Sequence, residues 1–308
     1  SLELVDLDRD GDLELLTANH GFGVPNHFYL NAGGADPYGG GVAREIHPDG
    51  QVFSGVALAS GDLDRDGDPD LVVANGFQVF EGNRFYLNID TPTLFGNNAI
   101  GHDVTMDTHI TMDVVTGDID GDGDIDAIAG NLGVPNRLYL NNGSGDPFET
   151  VMGVDVTGDA NATQALELAD IDGDGDLDLI EGNRSQVNRI YLNNGTADPF
   201  DGVSGIDLGV DATSAVGLAV GDYDCDGDLD LVVANSDGPL LLYFNNGSGD
   251  PFAAATPSVL IDFPMLGLTP SDVAMGDITG DLYPDIVVGV RGEVNVLLEN
   301  NANGGVAT

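Results

Sequence analysis

The sequence predicts an all-β chain, a β-propeller of six four-stranded repeats. Three observations carry this expectation. A nine-residue acidic cassette recurs along the chain, an aromatic–asparagine motif follows each copy, and no stretch of ten residues keeps a helical period. The cassette reads DLDRDGDLE at 6–14, DLDRDGDPD at 62–70, DIDGDGDID at 118–126, DIDGDGDLD at 170–178, DYDCDGDLD at 222–230 and, degenerate, DITGDLYPD at 277–285. Successive copies start 56, 56, 52, 52 and 55 residues apart. The second motif is FYLN at 28–31 and 85–88, LYLN at 138–141, IYLN at 190–193, LYFN at 242–245 and a weaker VLLEN at 296–300. A third, DPY at 36–38 and DPF at 146–148, 198–200 and 250–252, comes after it.

Each repeat reads as short strands around these motifs. SGVALASG (54–61) is apolar and runs into the cassette as a first strand, and DLVVAN (70–75) leaves it as a β-branched second. NRFYLN (83–88) is the third, after a Gly/Asn-rich turn, and SGIDLGVDA (204–212) alternates apolar and polar residues as a fourth. Only one strand precedes the first cassette, so the count is about 23 where six full blades need 24. The expectation is six blades with one short, or seven if the natural chain is longer. NANGGVAT (301–308) reads as a tail, and no linker divides the chain, so 1–308 is expected to be one domain.

Composition limits the partners. Of 308 residues 53 are acidic, 44 of them Asp, against eight Arg and no Lys, a formal charge of −45. Nucleic acid and anionic membrane surfaces call for clustered bases and would be repelled. The apolar runs are too short for membrane insertion, yet 42% hydrophobic residues suffice for a core. The single Cys excludes an internal disulfide framework. The chain starts at Ser1 without Met, which reads as a removed leader or a piece of something longer.

Positions 1, 3, 5, 7 and 9 of the cassette are acidic in five copies, and position 6 is Gly in each. Two carboxylates 4 Å apart repel by about 1 kcal/mol in water and about 4 kcal/mol at an effective dielectric of 20. Several pairs in one tight turn rival the 5–15 kcal/mol or so by which a whole domain is stable. Such a turn needs a cation or must splay open. All the donors at the acidic positions are hard oxygens, which disfavours zinc and copper. A cage of carboxylates suits Ca²⁺, while Mg²⁺ prefers to keep its waters. An EF-hand is excluded, because it needs a Glu at position 12 and flanking helices, whereas here the last acid is at position 9 and a strand follows.

The pattern D-x-D-x-D-G-x-x-D followed by LYLNNG resembles the FG-GAP/VCBS-type repeats of integrin α-subunit propellers and many secreted microbial proteins. The resemblance spans essentially the whole chain. It implies Ca²⁺ held by the side chains at positions 1, 3, 5 and 9 and by the main-chain carbonyl at 7. Those residues are Asp6, Asp8, Asp10, Asp12 (carbonyl) and Glu14; Asp62, Asp64, Asp66, Asp68 (carbonyl) and Asp70; and Asp118, Asp120, Asp122, Asp124 (carbonyl) and Asp126. They continue with Asp170, Asp172, Asp174, Asp176 (carbonyl) and Asp178, then Asp222, Asp224, Asp226, Asp228 (carbonyl) and Asp230. The sixth copy offers Asp277, Thr279, Asp281, Tyr283 (carbonyl) and Asp285. With Thr at position 3 and Leu282 in place of the turn Gly, it is expected to be weak or empty.

Other candidates are thinner. Six divalent ions would still leave a charge of −33, which suits a salt-rich source better than a surface selected to repel anions. Of His20, His27, His47, His102 and His109, only His109 draws interest, in a loop entering a first strand, and it reads as a polar loop residue before it reads as a ligand-binding one. No nucleophile elbow or Ser–His–Asp grouping is legible, so no catalytic residue and no enzyme is expected. Cys225 falls at a non-ligand position. Tyr29, Tyr86, Tyr139, Tyr191 and Tyr243 repeat one strand position, which favours core packing over a sugar-binding stripe. Sequons at Asn142, Asn161, Asn183, Asn194 and Asn246 include three in a recurrent NNG[ST] turn.

The functional expectation is an extracellular, secreted or cell-surface module for protein binding, adhesion or assembly. Carbohydrate binding is the alternative, and a propeller of a polysaccharide-degrading enzyme the second. Partners are protein or carbohydrate at propeller-face loops, with homo- or hetero-assembly.

Overall fold

The computed structural model describes residues 1–19, 24–34, 36–39, 41–46, 55–76, 82–88, 94–95, 101–209, 212–253 and 255–300. His20, His47 and the expected tail at 301–308 lie outside them. The fold is a six-bladed β-propeller, each blade one antiparallel sheet with its strands in chain order. The chain forms two compact units, Ser1–Ala160 and Asn161–Thr308, with three blades in each.

In the first unit the blades are β1 (Leu2–Val5), β2 (Glu14–Thr17), β3 (His27–Tyr29) and β4 (Arg44–Glu45); β5 (Gly55–Gly61), β6 (Asp70–Asn75), β7 (Arg84–Tyr86) and β8 (His102–Asp103); and β9 (Thr111–Gly117), β10 (Asp126–Asn131), β11 (Arg137–Tyr139) and β12 (Val154–Asp155). In the second they are β13 (Thr163–Ala169), β14 (Asp178–Asn183), β15 (Asn188–Tyr191) and β16 (Ile206–Leu208); and β17 (Ala215–Gly221), β18 (Asp230–Asn235), β19 (Leu240–Tyr243) and β20 (Ser258–Ile261). A one-turn helix α1 (Phe263–Leu266) leads to β21 (Pro270–Gly276), β22 (Asp285–Val290) and β23 (Val296–Leu298). Among the described residues the last sheet has three strands rather than the expected four, which gives the 23 read from the sequence.

The cassette is the loop of the first hairpin in every blade. Gly61 pairs with Asp70, Gly117 with Asp126, Ala169 with Asp178 and Gly221 with Asp230, so position 9 opens the second strand and the ladder closes the loop. The second strands β6, β10, β14 and β18 are buried at all six residues, as their near-continuous apolar and small side chains suit. Their β-branched and small side chains fill cores between consecutive blades. Leu58, Leu71 and Val73 share one with Leu16 and Phe28 of the blade before, and Leu231, Val233 and Leu241 share another with Ile180 and Ile190.

The YLN asparagine fastens one blade to the next. Asn88 Nδ2 donates to the Leu7 carbonyl (2.9 Å), Asn141 to Leu63 (2.8 Å), Asn245 to Ile171 (2.8 Å) and Asn300 to Tyr223 (2.7 Å), each the position-2 carbonyl of the preceding cassette. The same Asn141 and Asn245 reach the carbonyls of Ile125 and Leu229 in their own cassettes (both 3.0 Å), and their Oδ1 atoms accept from Gly143 and Gly247. All four asparagines are at most 7% exposed. The DPF motif plugs the same seam, with the Phe148 ring edge-on to Phe85 of the blade before at 5.4 Å.

Asn141→Ala removes the side-chain partner of the Leu63 and Ile125 carbonyls and of the Gly143 amide, at about 1 kcal/mol for each lost bond. It is expected to lower unfolding stability by about 2–3 kcal/mol in urea titrations, whereas a loss under about 0.5 kcal/mol would contradict the fastening role.

Candidate metal centres in the hairpin loops

The loops place five carboxylate clusters in which one oxygen from each of three side chains lies within 4.8 Å of the other two. They are Asp6, Asp8 and Asp10; Asp62, Asp64 and Asp66; Asp118, Asp120 and Asp122; Asp170, Asp172 and Asp178; and Asp222, Asp224 and Asp230. The first three bring together positions 1, 3 and 5, and the last two bring together 1, 3 and 9.

Backbone curvature makes this convergence possible. Position 6 has positive φ, as the glycine requires: Gly67 stands at +92° and Gly175 at +101°. Position 4 is left-handed too, a feature the pattern of acids did not reveal. Arg9 (φ 57°), Arg65 (61°) and Cys225 (61°) adopt there what Gly121 and Gly173 adopt without strain. The two turns aim successive side chains inward. Position 1 accepts the amide of position 6, as Asp62 does from Gly67 (3.1 Å), and position 5 accepts that of position 7, as Asp66 does from Asp68 (2.9 Å).

One oxygen of position 1 is left over. Oδ1 of Asp6, Asp62, Asp118 and Asp170 is buried and has no hydrogen-bond partner. A buried carboxylate oxygen without a donor is costly, and here it sits among like charges, so the donor set fits a hard cation. In the fifth copy Asp222 Oδ1 instead accepts the Asp226 amide at 2.9 Å.

Position 9 ties the loop to the strands. Asp70 accepts the Leu63 amide (2.8 Å) and the Asn88 amide (2.7 Å), and the pattern recurs at Glu14, Asp126, Asp178 and Asp230. Burial, with the charges at positions 3 and 5 adding to it, pushes the Asp70 carboxyl up to about 7 against the pull of those amides. Asp126 also rises to about 7, and Asp178 and Asp230 to about 6, burial again leading. Position 3 is raised in all five copies by partial burial and by its acidic neighbours.

The sixth loop differs in kind. Asp277 accepts from Gly280, Asp281 and Leu282, so both its oxygens are used, and Asp281 accepts from Tyr283. Burial would raise Asp285, but hydrogen bonds from Thr279, Asn300 and Ile278 outweigh it and hold this carboxyl below the usual range. Thr279 adds no charge, and Leu282 takes the position-6 turn at φ 74°, against its steric preference. Among the described residues no carboxylate triad forms there.

Position 7 does something its main-chain role did not suggest. The Asp68 carboxylate pairs with Arg9 of the preceding cassette, and Asp124 pairs with Arg65. Position 4 of one loop thus grips position 7 of the next, through carboxylates that are 3% and 5% exposed.

The remaining candidates fall into place. Tyr86, Tyr139, Tyr191 and Tyr243 are buried in the blade cores, while Tyr29 is half-buried. His109 is half-buried in the loop before β9, and Cys225 is exposed. Sequon Asn183 is buried and Asn161 half-buried. Asn142, Asn194 and Asn246 are exposed, and each donates to the carbonyl of the following Asp-Pro turn.

A family model described as an FG-GAP-like repeat matches residues 6–73, 62–129, 118–181, 170–233 and 222–288. No curated protein matches the chain. Among solved structures, BBS1N in complex with ARL6DN superposes with a TM-score of 0.55 at 12% identity, over 96% of this chain and 78% of that one. A lectin of Agrocybe aegerita that recognises non-reducing terminal N-acetylglucosamine superposes with a TM-score of 0.64 at 18% identity, over 100% of this chain and 78% of its own. Both likenesses are of fold.

Without a cation, the position-9 carboxyls make folding take up protons. Their folded pKa values lie above the usual 3.8, so the folded state binds more protons than the unfolded chain between about pH 4 and about pH 7, and stability falls as pH rises through that window. Cation-free protein is expected to melt several degrees higher near pH 5 than near pH 8 by scanning calorimetry. A melting temperature that is flat or rising across that window would contradict this assignment.

Proposed function

The chain belongs to the FG-GAP-like repeat family, and we propose that it is a Ca²⁺-stabilised extracellular β-propeller acting as a protein-binding or assembly module. The observation that carries the calcium reading is the buried, partnerless Oδ1 of Asp6, Asp62, Asp118 and Asp170, repeated at the centre of a carboxylate cluster. Asp8, Asp10, Glu14 and their equivalents complete the oxygen set, with the position-7 carbonyl. A cage whose ligand positions are all oxygen, with Cys225 at the non-ligand position 4 of the fifth loop, suits Ca²⁺ over zinc or copper. A bound dication would offset two of the cluster's negative charges and hold the hairpin loop against the next blade.

The compartment follows from the metal. Loops of this kind match extracellular modules, whose Ca²⁺ affinities are tuned to about 10⁻⁴–10⁻³ M. Secretion into the medium, followed by cell fractionation, checks this. The FG-GAP propeller fold supports a binding or structural role rather than chemistry. Of the solved propellers it resembles, one is complexed with a protein and one recognises a sugar. Tyr86, Tyr139, Tyr191 and Tyr243 are buried, so at these positions no aromatic face is open for a sugar ring to stack on, which favours protein partners. Size-exclusion with light scattering tests assembly, and a strict monomer counts against it. Among the described residues no helix is long and apolar enough to cross a membrane.

Each site held at about 100 times its Kd adds about 2.7 kcal/mol, so five sites shift the melting temperature by about 20 °C or more. Chelation is therefore expected to lower the melt by about that much, and an unchanged melt contradicts the calcium reading. Thr279→Asp with Leu282→Gly restores the cassette in the sixth loop, and calcium titration of this variant is expected to count one more ion than the parent. Equal stoichiometry would mean that these two positions do not decide occupancy.

A further inference from the structure

Outside the loops, the first unit carries a cavity of about 640 Å³ between two consecutive blades, within the range of pockets that take small molecules and short peptides. One wall is the segment from β8 onward, with His102, Asp103 and Met106, and the other is the turn after the DPF motif, with Glu149 and Met152. Phe148, Val104 and Val151 form the apolar floor. Met106 and Met152 are 96% and 84% exposed, so two flexible apolar side chains stand on opposite rims.

Acidic groups predominate around this cavity. Asp103, Asp107, Asp146 and Glu149 line it. Its one arginine, Arg137, is paired within the protein: it donates to Asp107 (3.1 Å), to Asp155 (2.5 Å) and to the Gly153 carbonyl. Among the described residues Asp146 and Glu149 have no ion-pair partner. An apolar floor, methionine rims and unpaired carboxylates complement a chain that is both basic and apolar. The long stem of Arg or Lys packs against apolar surface while its head meets a carboxylate.

We propose that this cavity docks a short basic–apolar peptide segment of a partner protein, with an Arg or Lys side chain directed to Glu149 and Asp146 and its apolar neighbours held by Met106 and Met152. This deepens the protein-binding reading and rests on it.

The test uses the calcium-loaded chain and fluorescence anisotropy at about 0.15 M salt, where distant charges are screened. The probes are a labelled Leu-Arg-Leu-Arg-Leu peptide and its Leu-Glu-Leu-Glu-Leu counterpart. Glu149→Lys is compared with Asp201→Lys, the exposed equivalent in the next blade's turn, which changes net charge equally. The expected result is binding of the basic peptide alone, weakened about tenfold or more by Glu149→Lys and by Met106→Ser with Met152→Ser, and less than about twofold by Asp201→Lys. Equal losses for Glu149→Lys and Asp201→Lys, or binding that survives both pocket variants, would overturn the pocket while leaving protein binding elsewhere on the module standing. Absence of any binding of the basic peptide also overturns it. The broader reading is judged separately, by assembly in size-exclusion.

Discussion

Carboxylate oxygens gathered to within 4.8 Å of one another set the terms for the rest of this molecule. At that distance like charges oppose folding by several kcal/mol per loop once water is partly excluded. The chain nevertheless builds the arrangement in five hairpins and fixes it with backbone amides. Gly67 donates to Asp62, and Leu63 and Asn88 donate to Asp70, so the carboxylates are held in place rather than left to splay. Amide donors relieve part of the repulsion. They do not reach the position-1 oxygen that stays buried and alone.

The loops matter beyond themselves because the seams between blades are built from them. The YLN asparagine reads a carbonyl of the preceding cassette, its own amide is held by the position-9 carboxylate of its own blade, and Arg9 and Arg65 grip the next loop's position 7. Distortion of one loop therefore moves the asparagine latch and the arginine grip together. Few of the strands exceed six residues, so these contacts add to the apolar cores that consecutive blades share. The sixth loop marks the alternative solution: with Thr279 for an acid, hydrogen bonds alone satisfy Asp277 and Asp285.

Much of this was legible in the sequence. The period of the cassettes gave the blades, and DLVVAN (70–75) gave β6 to the residue, because a fully buried strand between two turn signals has sharp edges. The tyrosines read as core and are buried, apart from half-buried Tyr29. What the sequence hid depends on neighbours far along the chain. The asparagine of YLN looks like a strand end until Asn88 is seen to reach Leu7, 81 residues away. The positive φ at Arg9 and Arg65 was masked because only glycine advertises such a turn. The cavity beside Arg137 was invisible because its walls come from two blades and its methionines follow no repeat.

The most direct test is a crystal structure grown with calcium and phased to show anomalous scatterers. The account predicts one ion in each of the five triads, bonded to the position-1 oxygen and its neighbours at about 2.3–2.6 Å, and none in the loop at 277–285. Water or empty density inside the triads, with the carboxylates turned outward to solvent, would contradict it.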